Sequence, residues 1–404
     1  MTLKYSLLHR TCPKTVALSC VAVCLATVVI VGWTGLASSS EDPLEAALEY
    51  QIDAVDLDLL QAEMDSLVRQ YGEVGIDLNL YQWLVSRGQI PLSPWGFIKG
   101  VVTYLFREVV QNTSLLGQLL LIAVVTAIAR NLATSLDEDT VSGVVSAVLY
   151  LVILLVGLSS FRTAASIAYS SVDSMTAFVQ SLTPTLFTLM VAMGGISTAA
   201  ALHPIVLAAV IGFASLVGGV VVPLTLFSVV LAVVTRLSGK PSALRLSKLL
   251  RRAATAAMGF LFGVFLAIMS VRGLVGSFGD AVTMKTAKLT TSTFVPVVGT
   301  AVAEGMEVVA GASLLIKNVV GLAGVLTVAV ISLYPVVKIV AIVLMYRLAA
   351  SLVEPLGDTS VSDCLCDLAD GLSHLAVCTA VTGIMFAVLL TVILSIGALP
   401  MMLR

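Results

Sequence analysis

Across residues 115–397, apolar runs of helix length follow one another with only short polar gaps, and that continuity constrains the fold more than any motif does. Hydrocarbon offers no water to backbone N–H and C=O groups, so only helices and closed barrels can cross it. The runs are rich in Leu, Val, Ala and Gly and lack the ten-residue alternation of barrel strands, which selects helices. Composition agrees, with 58% hydrophobic and only 11% charged residues, a mean hydropathy of +1.05 and a formal net charge of -2. A soluble domain would have about a quarter of its residues charged. The expected fold class is all-α, a polytopic helical membrane protein.

The start of the chain reads differently. Lys4, Arg10 and Lys14 precede an apolar run from Thr15 to about Gly35, and Gly35 and Ala37 suit signal-peptidase cleavage after Ala37, so residues 1–37 read as a signal peptide or an uncleaved anchor. Either way, residues 38–114 lie outside the cytoplasm. They hold twelve acids against four bases, a balance of -8. Leu57, Leu59, Leu60, Met64, Leu67 and Val68 recur at helical spacing and predict an amphipathic helix over 53–70, either a solvated acidic face or a docking helix for an outside partner. GQIPLSP at 88–94 is a turn-rich break, and 97–112 reads as an interfacial helix entering the bilayer.

Candidate membrane segments follow at about 115–133, 141–160, 161–181, 183–201, 204–235, 253–271, 296–313, 319–346 and 374–397. The third carries Arg162 and Asp173 and reads as a bundle-interior or surface helix; the fifth holds Pro223 and is too long for one untilted span. Residues 236–252 contain Arg236, Lys240, Arg245, Lys248, Arg251 and Arg252 and no acid, which places this loop in the cytoplasm rather than on nucleic acid. With 38–114 outside, five crossings are expected before Arg236.

Two halves of the chain resemble each other. Pro184 and Pro223 are 39 apart, as are Pro296 and Pro335, at an offset of 112 that Gly212 and Gly324 share. The first membrane helices occupy 115–182, and two three-segment units are expected over 183–273 and 295–397, with the four prolines as helix breaks. Three crossings per unit would invert one relative to the other. The loops fit this, since 354–370 has five acids (Glu354, Asp358, Asp363, Asp367 and Asp370) and no base. Inverted units with broken helices are a transporter-like plan.

Chemistry is sparse. Glu304 and Glu307 share a helical face, and could form an ion path or pair with Lys317 and Lys338. The run at 278–288, with Asp280, Lys285 and Lys288, reads as a short loop between the units. Six cysteines and three histidines show no metal-ligand spacing; neither metal nor cofactor is expected. No phosphate-cradling loop, HExxH or GxSxG appears, so no enzyme activity is expected.

SLTPTLFTLMVAMGG, PLTLFSVVLAVVTRLSG, AVTMKTAK, FVPVVGTAVAEGMEVVAGASLLIKNVVGLAG and YRLAASLVEPLGD, in this order, resemble the stage III sporulation protein AE family over nearly the whole chain, most strongly across 181–357. The resemblance implies a polytopic component, in the mother-cell membrane surrounding the forespore, of the complex that links the two cells during engulfment. That complex is thought to be a channel or feeding apparatus. Implied partners are the membrane, the other stage III sporulation proteins of the AA to AH set (one a secretion-type ATPase) and, indirectly, stage II sporulation protein Q of the forespore; separately from the resemblance, a homo-oligomer is a further option. The family has no catalytic residues to carry over. A stand-alone transporter coupled to protons or cations, and a non-conducting scaffold, are the alternative readings.

Overall fold

The computed structural model describes residues 61–67, 94–135, 139–238, 242–294, 298–356 and 359–396. The signal-like start and most of the acidic segment lie outside the described residues, as does Pro296. All regular structure among the described residues is helical. After a short helical piece at 61–67 come α1 (Pro94–Gln111), α2 (Thr113–Ser135), α3 (Asp139–Ala192), α4 (Ile196–Leu216), a π turn (Val217–Val221), α5 (Val222–Ser238), α6 (Ser242–Phe294), α7 (Val298–Val353), a 3-10 turn (Glu354–Leu356) and α8 (Thr359–Ile396). Among the described residues, five stretches are long and apolar enough to cross a membrane: Leu155–Ala192, Ile196–Thr235, Leu244–Ser270, Val308–Val353 and Val361–Ile396. Ile98–Gln111 and Thr113–Thr126, bent by 42° at Asn112, add a sixth if they count as one broken span. The chain is thus a polytopic helical membrane protein.

Helix ends follow local chemistry. α3 runs through Pro184, whose cost of about 3 kcal/mol in a helix interior is offset by burial of the flanking Leu182, Leu186 and Phe187. It stops instead at Gly194, where φ is +89. The Gly194 N–H bonds the Val191 carbonyl at 2.8 Å and the Gly195 N–H bonds the Met190 carbonyl at 2.9 Å, the Schellman closure that a glycine pair favours. A unit boundary at 182–183 therefore falls inside a helix. The run at 278–288, expected as a loop, continues α6 to Phe294.

Contacts along the helices fix their directions. α7 and α8 form an antiparallel hairpin: Lys317 reaches Leu394, Ser332 lies against Gly383, and Arg347 reaches Asp370. α4–α5 and α6 form a second, with Phe213 against Phe265 and Ser247 bonded to Ser228. α3 is antiparallel to both first arms, meeting α4 through Phe187 and His203, the π turn through Tyr169 and Gly218, and α7 through Ser171 with Ile331 and Leu182 with Gly324. α4–α5 and α7 therefore run the same way. The helices approach closely: a Cβ on Gly371 would fall 2.0 Å from a Val229 methyl, and one on Gly383 would fall 2.3 Å from the Ser332 Cβ.

This corrects the inverted arrangement. Residues 183–192 are the last turns of α3, and 298–313 is the opening of α7 rather than a separate span. Each repeat is then a two-crossing hairpin, and an even number of crossings preserves direction. Counted with the bent pair as one span, three passages precede Arg236 (the bent pair, α3 and α4–α5) instead of five, an odd number as in the sequence reading. Met64 of the 61–67 piece is buried and belongs to the core cluster of the bundle, and Ser181 of α3 donates to Glu63 at 3.1 Å, toward the end of the bundle away from Arg251.

In a cysteine-free chain, R245C and E354C are both exposed positions at one end of the bundle, and I196C is exposed at the other. A membrane-impermeant thiol reagent should label the first two from one side only and I196C from the opposite side. Labelling of R245C and E354C from opposite sides would restore the inverted arrangement.

Candidate functional site

The polar chemistry inside the bundle begins with two prolines. Pro335 lies within α7, where it has no N–H for the carbonyl four residues back, that of Ile331. The buried Ser171 hydroxyl of α3 donates to that carbonyl at 3.1 Å. Pro223, its repeat equivalent, follows the π turn, in which the Val222 N–H bonds the Val217 carbonyl five residues back. In that wider register the residue that would pair with the Gly218 carbonyl is Pro223, which has no donor. Tyr169 of α3 donates its hydroxyl to the Gly218 carbonyl. Two side chains of α3, two residues apart, thus occupy the carbonyls released by the two equivalent prolines.

A second polar cluster joins α5, α6, α7 and α8. Asp370 of α8 takes Nη1 of Arg251 on one oxygen at 3.2 Å and Nη2 of Arg347 on the other at 3.4 Å; Arg251 also reaches the Asp367 carbonyl at 3.3 Å. The Asp370 side chain is 39% exposed, so each pair is worth about 1 kcal/mol or less. One turn further, His374 bridges two hydroxyls: Nδ1 is 2.9 Å from Thr225 Oγ1 of α5 and Nε2 is 3.0 Å from Thr255 Oγ1 of α6. Sequence reading placed Asp370 in a loop and passed over His374. Asp363, Asp367, Asp370, His374 and Cys378 recur at spacings of four, three, four and four, the stripe of one helical face, and that periodicity could have revealed the cluster.

The other expected residues are placed as follows. Lys317 is fully buried, and its Nζ donates at 3.3 Å to the carbonyl of Leu394 in the last turn of α8. Carbonyls there lack intrahelical donors and carry the negative end of the helix dipole, so Lys317 caps one helix from another. Lys338 sits 5.8 Å from the ring centroid of Tyr334, which stacks on Tyr104 of α1 at 5.0 Å; Tyr104 in turn donates to the buried Glu108 at 2.7 Å. Glu304 and Glu307 lie on the same continuous helix. At 1.5 Å per residue, Glu307 is about 15 Å from Lys317 and about 46 Å from Lys338 along that helix, too far for direct pairing. The structure therefore does not bring the four charges together. Of the six bases, Arg251 turns inward to Asp370 while Arg245, Lys248 and Arg252 are exposed; Arg236 lies in the last turn of α5, and Lys240 lies outside the described residues.

Pro184 and Pro335 are internal to helices, and only Pro223 sits at an irregular turn, so they are not uniformly breaks. Among the described residues, no three His, Cys, Asp or Glu side chains converge as metal ligands would. These contacts hold neighbouring helices in register.

Comparison with known proteins gives a consistent result. The family described as stage III sporulation protein AE matches residues 77–397. The stage III sporulation protein AE of Bacillus subtilis (strain 168) is 31% identical over 381 residues, which cover 93% of this chain and 95% of that protein. No solved structure matches.

Replacing Ser171 by Ala leaves the Ile331 carbonyl buried without a donor, which costs about 1–3 kcal/mol. P335A should restore the missing N–H. In a thermal or denaturant unfolding cycle, S171A should lower stability in the native background and be nearly neutral beside P335A. Equal losses in both backgrounds would refute this role.

Proposed function

The chain belongs to the stage III sporulation protein AE family, and from that membership we propose that it is an integral membrane component of the channel complex between mother cell and forespore, required for forespore development after engulfment. A role in sporulation follows from the family itself. The finer assignment rests on one observation above all: the family match reaches from 77 to 397 and so takes in every candidate span among the described residues, which supports the whole bundle, rather than an appended domain, as the carrier of the role. In this reading the part of 38–114 that precedes the bent pair faces the space between the two membranes, where its acidic character suits contact with partner proteins. The partners are other proteins of the AA to AH set, with stage II sporulation protein Q reached indirectly, and energy from ATP would come from another chain.

A non-conducting scaffold is the second reading, and the mutual engagement of the polar groups favours it. Asp370 is shared by two arginines, and His374 is held between two threonines. A stand-alone transporter would instead need Glu304 and Glu307 for its coupling ion.

Deletion of the gene should arrest development after engulfment, and a tagged copy should co-purify with the other channel proteins from sporulating cells; normal sporulation of the deletion strain would overturn both channel and scaffold readings. Combined E304Q and E307Q substitutions should leave spore yield near that of the parent. An arrest with the complex still assembled would establish ion coupling instead.

A further inference from the structure

The first turns of α6 divide into two faces. Ser247 and Arg251 turn inward, to the Ser228 carbonyl at 2.7 Å and to Asp370. Arg245, Lys248 and Arg252 are exposed, spaced by three and four residues and hence on one side of the helix. Leu246 and Leu249, at 50% and 61% exposure, lie among them, as at a surface that meets lipid rather than water alone. Down the same side follow Ala256, Gly259 and Gly263, all exposed; a Cβ on either glycine would meet no atom within 4 Å. The span Leu244–Ser270 has 27 residues, about 40 Å at 1.5 Å per residue, against a hydrocarbon thickness of about 30 Å. The uncharged part, residues 253–270, matches that thickness by itself, which brings the three bases to the headgroup layer and the glycines below it.

We propose that this outer face of α6 holds an anionic phospholipid, its phosphate on Arg245, Lys248 and Arg252 and an acyl chain along the shallow groove over Ala256, Gly259 and Gly263. Charge complementarity selects the occupant. Each Lys or Arg near an anionic membrane surface contributes about 1 kcal/mol, and the long side chains can extend their heads to the phosphates while their stems remain on apolar surface. Arg251, the base already neutralised by Asp370, is not part of the site. A second transmembrane helix is the competing occupant of a face with glycines four apart. The three exposed bases at its end select the lipid, because a packed helix would cover the groove and leave them no counter-charge. This inference does not depend on the proposed sporulation role.

The test uses the purified full chain in nanodiscs of phosphatidylcholine with a minority of phosphatidylglycerol, with retained lipids read by native mass spectrometry. The parent protein should retain phosphatidylglycerol over phosphatidylcholine. The triple variant R245Q/K248Q/R252Q should reduce that preference by roughly tenfold or more, while R245K/R252K keeps it. G259L/G263L, which fills the groove, should also lower retention. An undiminished preference in the triple variant would overturn the site. So would a G259L/G263L chain that keeps its lipid preference but loses self-association, because the groove would then be a helix interface.

Discussion

A carbonyl buried among apolar helices has no water to turn to, and much of this bundle is arranged around that fact. Two prolines each remove a donor deep in the membrane portion, and one helix, α3, replaces both with the hydroxyls of Tyr169 and Ser171. Lys317 does the same for the end of α8. These are individually modest bonds. Without them, however, each carbonyl would carry a desolvation penalty of about 1–3 kcal/mol, comparable to a sizeable part of a protein's net stability. Taken with the Phe187–His203 and Leu182–Gly324 contacts further along α3, the same two bonds also fix the direction in which the hairpins run past it.

The charges obey the same logic at the bundle end. Six bases in 236–252 and five acids in 354–370 read in sequence as loops on opposite sides of the membrane. In the fold, Arg251 and Arg347 share Asp370, and the acids partly neutralise the bases at one end. Acids carry little orientation information, so a run of acids without bases does not by itself place 354–370 on the far side.

Fold class and family were legible in the sequence, because apolar helix-length runs and the ordered family stretches are properties of the chain itself. The direction in which the hairpins run was not. Proline at 184 and 335 reads as a helix break, yet buried neighbours such as Leu186 carry α3 past the first and Ser171 supports the second; the glycine pair at 194–195 is the end signal. Pairing of Glu304 and Glu307 with the lysines failed for a related reason, since an unbroken α7 keeps them far apart. The Asp367–Asp370–His374 stripe was visible as a helical period but lay partly in what looked like a loop. The partners of Ser171 and Tyr169 are 160 and 49 residues away and leave no local trace.

The parallel run of the two hairpins is the claim on which the rest turns, and the contact between α6 and α8 tests it most directly. In a cysteine-free chain carrying R251C and D370C, a short bifunctional thiol reagent applied to intact membranes should join the two positions, and either cysteine alone should give no intramolecular product. Absence of that cross-link, with the two cysteines reacting from opposite sides of the membrane, would contradict the account.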